Sequence, residues 1–370
     1  MNKLTYTCPC HFGLESVLKF EAQKIDGENI TVTDGKVSFD GDFNLMARAN
    51  LCLATAERVL IKLAEFKAMT FEELFQNVKK LDWQDFIGKY DAFPVKGHSL
   101  NSKLSSVPAC QSIIKKAVAE KLGSVYGVGF LEETGSVYQI RFHLMNDVAA
   151  IYLDTSGTGL HKRGYRRDAN AAPIKETLAA GMIDLARIRS SSQFYDPFCG
   201  SGTLVIEAAY KALNIAPGLK RTFSAERWSC VDKKIWSEER QRALDVIKKD
   251  EPFHAYASDI DEECVELTLN NCKKAGISKC VDVRRADIKD FVNADNSIIV
   301  CNPPYGERLL EIKEAEEIYT TMGKVFAGDK EHPCSIISPH EEFEKFFGRK
   351  AARRRKLYNG MMKCQMFMYF

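Results

Sequence analysis

The sequence predicts an α/β fold: a seven-stranded, mostly parallel sheet ended by an antiparallel hairpin, preceded by an α+β region of about 155 residues. Three observations carry this prediction. Phe194 to Thr203, FYDPFCGSGT, reads as a buried strand end, a glycine turn and the start of a helix that continues through Leu204 to Ala209. Three further strand-like runs follow, at 254–258, 281–285 and 297–301, with a helical stretch (262–275) after the first. The chain then closes on two β-patterned segments, 354–357 and 361–370, around Asn359-Gly360, a dipeptide suited to the left-handed angles of a tight hairpin.

The first 155 residues read as a succession of small α+β units. Leu4–Thr7 is a strand, and Leu14 to Ile25 has helical spacing with Leu14, Val17, Leu18 and Ala22 on one side. Two strands, 30–32 and 37–39, flank the turn pair Asp34-Gly35. A helix over 43–56 and a strand over 59–63 follow. Thr70 with Glu73 forms a capping-box pattern that starts a helix through Val78. A strand over 94–103, a helix from Pro108, and strands at 137–142 and 148–153 complete the region. It contains no glycine cradle and no catalytic constellation. Ser156-Gly157-Thr158-Gly159 is a flexible step, so the expected division is 1–155 and 160–370.

Totals exclude several classes. The 370 residues are 45% hydrophobic and 28% charged, and no run is long and apolar enough to span a bilayer. MNKLTYTCPC is not a signal peptide, so the expected compartment is the cytoplasm. The twelve cysteines are expected as free thiols, and the CxC spacing at Cys8 and Cys10 does not suit a structural zinc, so no metal is expected. The net charge is only +2, but basic residues cluster at 161–167 and 345–356. Lys162, Arg163, Arg166 and Arg354 are therefore candidate contacts to a polyanion.

Chemistry concentrates on three strand tips. Glycines at 200 and 202 let a ligand approach the backbone beside a helix N-terminus, and Asp196 before them suits a ligand amino group rather than a pyrophosphate. Pro197, Cys199 and Thr203 complete this turn. Asp259 stands where nucleotide folds place a ribose-binding carboxylate, with Ile260 beside it for a flat ring and Asp261 as a helix cap. Asn302-Pro303-Pro304-Tyr305 ends the fourth strand. An exocyclic amine on a nucleobase is a poor nucleophile because its lone pair is delocalised into the ring. The Asn302 side-chain oxygen and the Pro303 carbonyl can accept its N–H bonds and turn that lone pair outward, while proline stiffens the turn. Tyr305 is expected to stack on the base.

The glycine turn followed by Asn302–Tyr305 resembles the amino-methyltransferases that use S-adenosylmethionine. With Leu160–Arg166 and Ala172–Ala180 added, residues 160 to 370 resemble the RlmL-type RNA guanine-N2 methyltransferases, once catalogued as adenine-specific DNA methylases. The resemblance implies a Rossmann-like class I methyltransferase domain, S-adenosylmethionine as cofactor, Asp287 at the adenine amino group and Arg308 at RNA. Pro173 is expected in the first turn of a helix beside the cofactor. The order and length of the first region are similar to a ferredoxin-like unit plus a THUMP domain over about 43–155, which implies an RNA grip. Ser99, Asn101, Ser102, Lys103, Lys115 and Lys116 are the polar candidates there. The expected activity is methyl transfer to guanine N2, with 23S rRNA favoured and tRNA as the alternative. A DNA adenine-N6 methyltransferase and an inactive RNA-binding assembly factor are the remaining readings. No obligate protein partner is evident. Some relatives carry a second methyltransferase domain after this one, and its absence here implies a single modification.

Overall fold

A computed structural model describes residues 3–166, 174–306 and 309–370. The N-terminal region comprises β1 (Leu4–Pro9), α1 (Glu15–Lys24), β2 (Glu28–Thr33), β3 (Lys36–Gly41), α2 (Phe43–Cys52), β4 (Leu60–Lys67), α3 (Phe71–Lys79), β5 (Val95–Leu100), α4 (Val107–Tyr126), β6 (Ile140–Met145) and β7 (Val148–Asp154). These strands form one continuous sheet in the order β2-β3-β1-β4-β7-β6-β5. The units read separately in the sequence are therefore halves of one layer, joined where β1 pairs with β4. All four helices bury their apolar sides with Tyr6, Phe39, Ile61, Phe142 and Ile151 of the sheet.

Local chemistry explains the boundaries. The Thr70 capping box forms as read, and Ser106 caps α4 with Pro108 in its first turn. α2 stops at Cys52 rather than 56 because the Ala54 and Thr55 N–H groups are taken by Glu21 Oε2, both at 3.1 Å. β6 begins at Ile140 rather than 137. The Val137 carbonyl leaves the ladder to accept the Trp228 indole N–H (3.0 Å) and the Ser224 hydroxyl (3.0 Å).

The second half comprises α5 (Glu176–Leu185), β8 (Gln193–Asp196), α6 (Thr203–Ala212), α7 (Lys233–Asp245), β9 (His254–Asp259), α8 (Glu262–Ala275), β10 (Val281–Arg285), β11 (Ser297–Cys301), α9 (Leu309–Val325), β12 (Cys334–Ser338), α10 (Phe343–Phe347), β13 (Arg353–Asn359) and β14 (Met362–Tyr369). The sheet order is β10-β9-β8-β11-β12-β14-β13. β8 to β12 run parallel, and β14 and β13 close the edge antiparallel. Pro173 lies outside the described residues. Among the described residues no helix is long and apolar enough to cross a membrane.

The halves interlock through exchanged side chains. The insertion before α7 sends Trp228 into the N-terminal core, where it stacks on Tyr138 at 4.5 Å, and Trp236 stacks on Phe223 at 5.3 Å. In the other direction, Leu14 is fully buried in the core of the second half. It packs so tightly on Gly181 that a Cβ there would meet its side chain at 2.3 Å. Arg355 fastens the same segment, with Nε donating to the Gly13 carbonyl at 2.8 Å and a terminal nitrogen to Ser16 Oγ at 2.9 Å.

Candidate active site

The carboxyl ends of β8, β9 and β11 converge on one cavity of about 900 Å³. Open parallel sheets bind ligands at this edge. The cavity gathers Asp196, Pro197, Cys199, Gly200, Thr203, Asp259, Ile260 and Asp287 with Asn302, Pro303, Pro304 and Tyr305. Gly202 is the exception among the candidates. Its φ of +77° makes the turn, and a Cβ there would meet Thr268 of α8 at 2.9 Å, so it serves packing behind the cavity. Gly200, at φ +52°, faces open space, and a Cβ there would meet nothing within 4 Å. The turn is pinned to β9 by Cys199 N–H to the Ser258 carbonyl (2.9 Å) and Gly200 N–H to Asp259 Oδ2 (3.0 Å). Asp259 Oδ1 also accepts from Asp261 N–H at 3.1 Å, and Asp261 caps α8.

Asp196 is 1% exposed. Its carboxyl accepts one backbone bond, from Phe198 N–H at 3.2 Å, and shares the cavity with the Asp259 carboxylate. Burial first, and then the Asp259 charge against a lowering hydrogen bond, push it up to about 8. A buried carboxyl beside a second acid and next to the open space at Gly200 is the complement of a cationic amino group. Asp287 lines the same cavity, its carboxylate accepting from Lys289 N–H at 3.0 Å.

The acceptor turn is braced from two directions. Tyr319 of α9 donates its hydroxyl to the Pro304 carbonyl at 2.9 Å. Tyr305 lines the cavity with its half-buried ring packed on one side against the core of the second half, and its hydroxyl donates to Asn302 Oδ1 at 2.5 Å. The cavity wall also includes Glu311, Glu314, Glu317, Ile318 and Thr321 of α9, and Asn359, Gly360 and Met362 of the closing hairpin. Sequence reasoning did not assign these. The helical spacing of 311, 314, 318 and 321 was a usable signal, whereas the hairpin tip is distant in sequence and carried none.

Within the basic cluster Arg163 and Arg166 turn inward, which corrects their reading as RNA contacts. Arg163 is 3% exposed and lies between Glu207 of α6 (3.3 Å) and the Leu160 carbonyl (2.7 Å). Arg166 bonds Thr203 Oγ1 (3.1 Å) and the Ile174 carbonyl (3.2 Å) and pairs with Glu176 (2.8 Å), so it clamps α5 to the glycine turn. Beside them Glu57 collects His11 (3.1 Å), His161 (3.5 Å), Lys175 (3.6 Å) and the Thr177 hydroxyl. Burial pushes Glu57 up, but the bonds from His11, His161 and Thr177 outweigh it and hold the carboxyl well below the usual range. Lys162 is exposed on an open groove of about 670 Å³ that it shares with Lys220, Arg221 and Arg240. Arg354 is half exposed, its Nε bonded to Glu344 at 2.8 Å. Arg308 lies outside the described residues. Lys115 is paired with Glu133 and sits 3.7 Å over the Phe93 ring, and Ser99 and Ser102 bond nearby carbonyls, so these three are occupied structurally.

Five parallel strands whose tips present this carboxylate-guarded glycine turn beside an Asn-Pro-Pro-Tyr turn define an S-adenosylmethionine-dependent methyltransferase. Residues 163–367 match the RMKL-like methyltransferase domain, and the chain belongs to that family. Residues 5–60 match the RlmL ferredoxin-like domain and 68–154 the THUMP domain. Bacillus subtilis YpsC, provisionally named an RNA methyltransferase, is 43% identical over all of this chain and 97% of its own length. A ribosomal RNA large subunit methyltransferase K/L from Psychromonas ingrahamii is 32% identical over 99% of this chain, which spans 50% of that longer protein. The crystal structure of SMU.472, described as a methyltransferase complexed with S-adenosylhomocysteine, superposes with a TM-score of 0.95 at 37% identity, covering 100% of this chain and 98% of its own.

Proposed function

We propose that this methyltransferase transfers a methyl group to the exocyclic N2 of a guanine in RNA, with 23S rRNA as the favoured substrate. Residues 1–155 hold the RNA and residues 160–370 carry the transfer. The observation that carries this reading is the meeting of Asp196 and Asn302 in one cavity, on neighbouring parallel strands, in a chain that also holds a THUMP domain. The K/L relatives, named for large-subunit ribosomal RNA, support the choice of RNA.

S-adenosylmethionine, when bound, supplies a methyl group on a cationic sulfur. Asp196 holds its amino group, Asp259 its ribose and Asp287 its adenine, with Pro197, Cys199, Gly200, Thr203 and Ile260 shaping the bed. Asn302 Oδ1 and the Pro303 carbonyl accept the amine N–H bonds and aim the nitrogen lone pair at the methyl carbon. Tyr319 occupies the Pro304 carbonyl, which leaves the Asn302 and Pro303 end of the turn for the amine. The rate gain comes from alignment and from polarising the amine. Among the described residues of the basic cluster, Lys162 is placed to meet a phosphate.

Mass spectrometry of ribosomal and transfer RNA nucleosides from cells lacking the gene tests the assignment. Loss of one N2-methylguanine from 23S rRNA, restored by the wild-type chain but not by Asn302→Ala, is the expected result. Loss from tRNA instead moves the substrate, and an unchanged RNA profile refutes the RNA reading.

A further inference from the structure

Asn302 can serve as an acceptor only if its amide oxygen, not its amide nitrogen, faces the amine. An amide group can present either edge, and the two differ little in shape. Something must hold the correct edge, and the contacts around Tyr305 supply a candidate. The Tyr305 hydroxyl touches three groups. It donates to Asn302 Oδ1 at 2.5 Å, it accepts from Asn359 Nδ2 at 3.4 Å, and the Cys364 thiol lies against it. The thiol is directed to the Met362 carbonyl at 3.7 Å. Asn359 belongs to the tip of the closing hairpin and lines the same cavity as Asn302.

We propose that Asn359, Tyr305 and Asn302 form a polarised hydrogen-bond relay in which Asn359 is a positioning residue that fixes which edge of Asn302 meets the acceptor amine. A hydroxyl has one proton. With a lone pair engaged by the Asn359 N–H, the hydroxyl directs that proton to Asn302 rather than to the weaker thiol acceptor, and Asn302 answers with oxygen. The oxygen retains a second lone pair for the incoming amine. Burial raises the Tyr305 hydroxyl far above its ordinary range, so it remains a donor at any working pH. The relay gives the Tyr305 hydroxyl a task beside any stacking of its ring on the base, and it gives the closing hairpin a part in the chemistry. It rests on the proposed methyl transfer for its consequence, but its geometry can be tested separately.

Two measurements on the full-length protein decide it. The first is kcat for transfer of labelled methyl to RNA, alongside cofactor affinity. Tyr305→Phe keeps the ring and removes the proton, and loss of one such bond implies a fall of about 10-fold in kcat. Asn359→Ala removes only the donor and implies about 3-fold. Asn359→Asp is the telling variant. A carboxylate draws the hydroxyl proton to itself, reverses the relay and turns the Asn302 nitrogen inward, so its kcat falls below that of Asn359→Ala. Cofactor affinity stays within about 2-fold in all three, which separates alignment of Asn302 from a general loss of fold. Full kcat in Tyr305→Phe with loss only in Tyr305→Ala, or equal kcat in the Ala and Asp variants at 359, overturns the relay. The second measurement needs no substrate. In protein labelled with nitrogen-15 in asparagine, the Asn302 side-chain amide resonances shift in both Tyr305→Phe and Asn359→Asp if the relay exists, and stay in place if it does not. Wild-type protein that methylates no RNA would refute the proposed function, while the resonance shifts would still decide the relay.

Discussion

Cofactor binding is expected to rise steeply with pH on its acid side, because a proton on Asp196 must leave before a cationic amino group can dock. In the free protein the Asp196 carboxyl is pushed up to about 8 by burial and by Asp259. Docking an ammonium against it favours the ionised form. Affinity is then reduced by a factor of 1 + 10^(8 − pH), about 30 at pH 6.5 and about 4 at pH 7.5, a rise of roughly 8-fold over one pH unit. Above about pH 8 the α-amino group of the ligand loses its own proton, so the profile turns over. Isothermal titration calorimetry with S-adenosylmethionine, in two buffers of different ionisation enthalpy, reads both the affinity and the proton released, close to one per molecule at pH 6.5. Asp196→Asn removes the acid limb and most of the affinity. Linkage adds a second readout without ligand. The folded protein keeps a proton on Asp196 that the unfolded chain loses near pH 4, so stability falls as pH rises from about 4 through about 8. Asp196→Asn is therefore more heat-stable than wild type at pH 8. A wild-type affinity that is flat between pH 6 and 7.5, or an acid limb that survives in Asp196→Asn, refutes the assignment of the amino group to Asp196.

Arg166→Ala removes a charged clamp between α5 and Thr203, so S-adenosylmethionine affinity falls about 10-fold, and the melting temperature drops because Glu176 is left buried without its partner; an unchanged affinity would refute a part for this clamp in shaping the cofactor turn. Lys162→Glu lowers RNA affinity and reduces the slope of log affinity against log salt by about 1, with cofactor affinity unaffected, as read in filter binding. Trp228→Ala empties the joint between the insertion and Tyr138 and destabilises the protein by about 3–5 kcal/mol in denaturant unfolding. Glu207→Ala leaves the Arg163 guanidinium buried and unpaired, for a loss of about 3–5 kcal/mol in the same assay.

The cofactor side of the site was legible because its chemistry is local. Asp196, Gly200 and Thr203 fall within eight residues, and a strand, a turn and a helix leave periodicities that show in sequence. The acceptor turn was legible for the same reason, but the direction of the Tyr305 side chain was not. That direction depends on Asn359 and Cys364 of the closing hairpin, whose place beside β12 is set by sheet order. The basic cluster misled because charge in a sequence carries no sign of burial. Arg163 and Arg166 meet Glu207 and Glu176, two acids on helices whose apolar neighbours made them look like ordinary core helices. Leu14 was read as one member of an N-terminal helix stripe, and its place in the opposite core became visible only with Gly181 against it. That exchange also makes removal of residues 1–155 an unsuitable test of RNA binding, since it would open the catalytic core.

The order of the first sheet has a consequence for how the chain emerges during synthesis. β4 pairs on one side with β1, already made about fifty residues earlier, but its other partner is β7, some eighty residues later. At about 5–20 residues per second, the outer edge of β4 waits roughly 4–16 s for that partner. An open strand edge is a template for pairing with another chain. Products interrupted between residues 67 and 148 would carry this edge permanently, and they should collect in the insoluble fraction more than products long enough to hold both β7 and the Trp228 insertion.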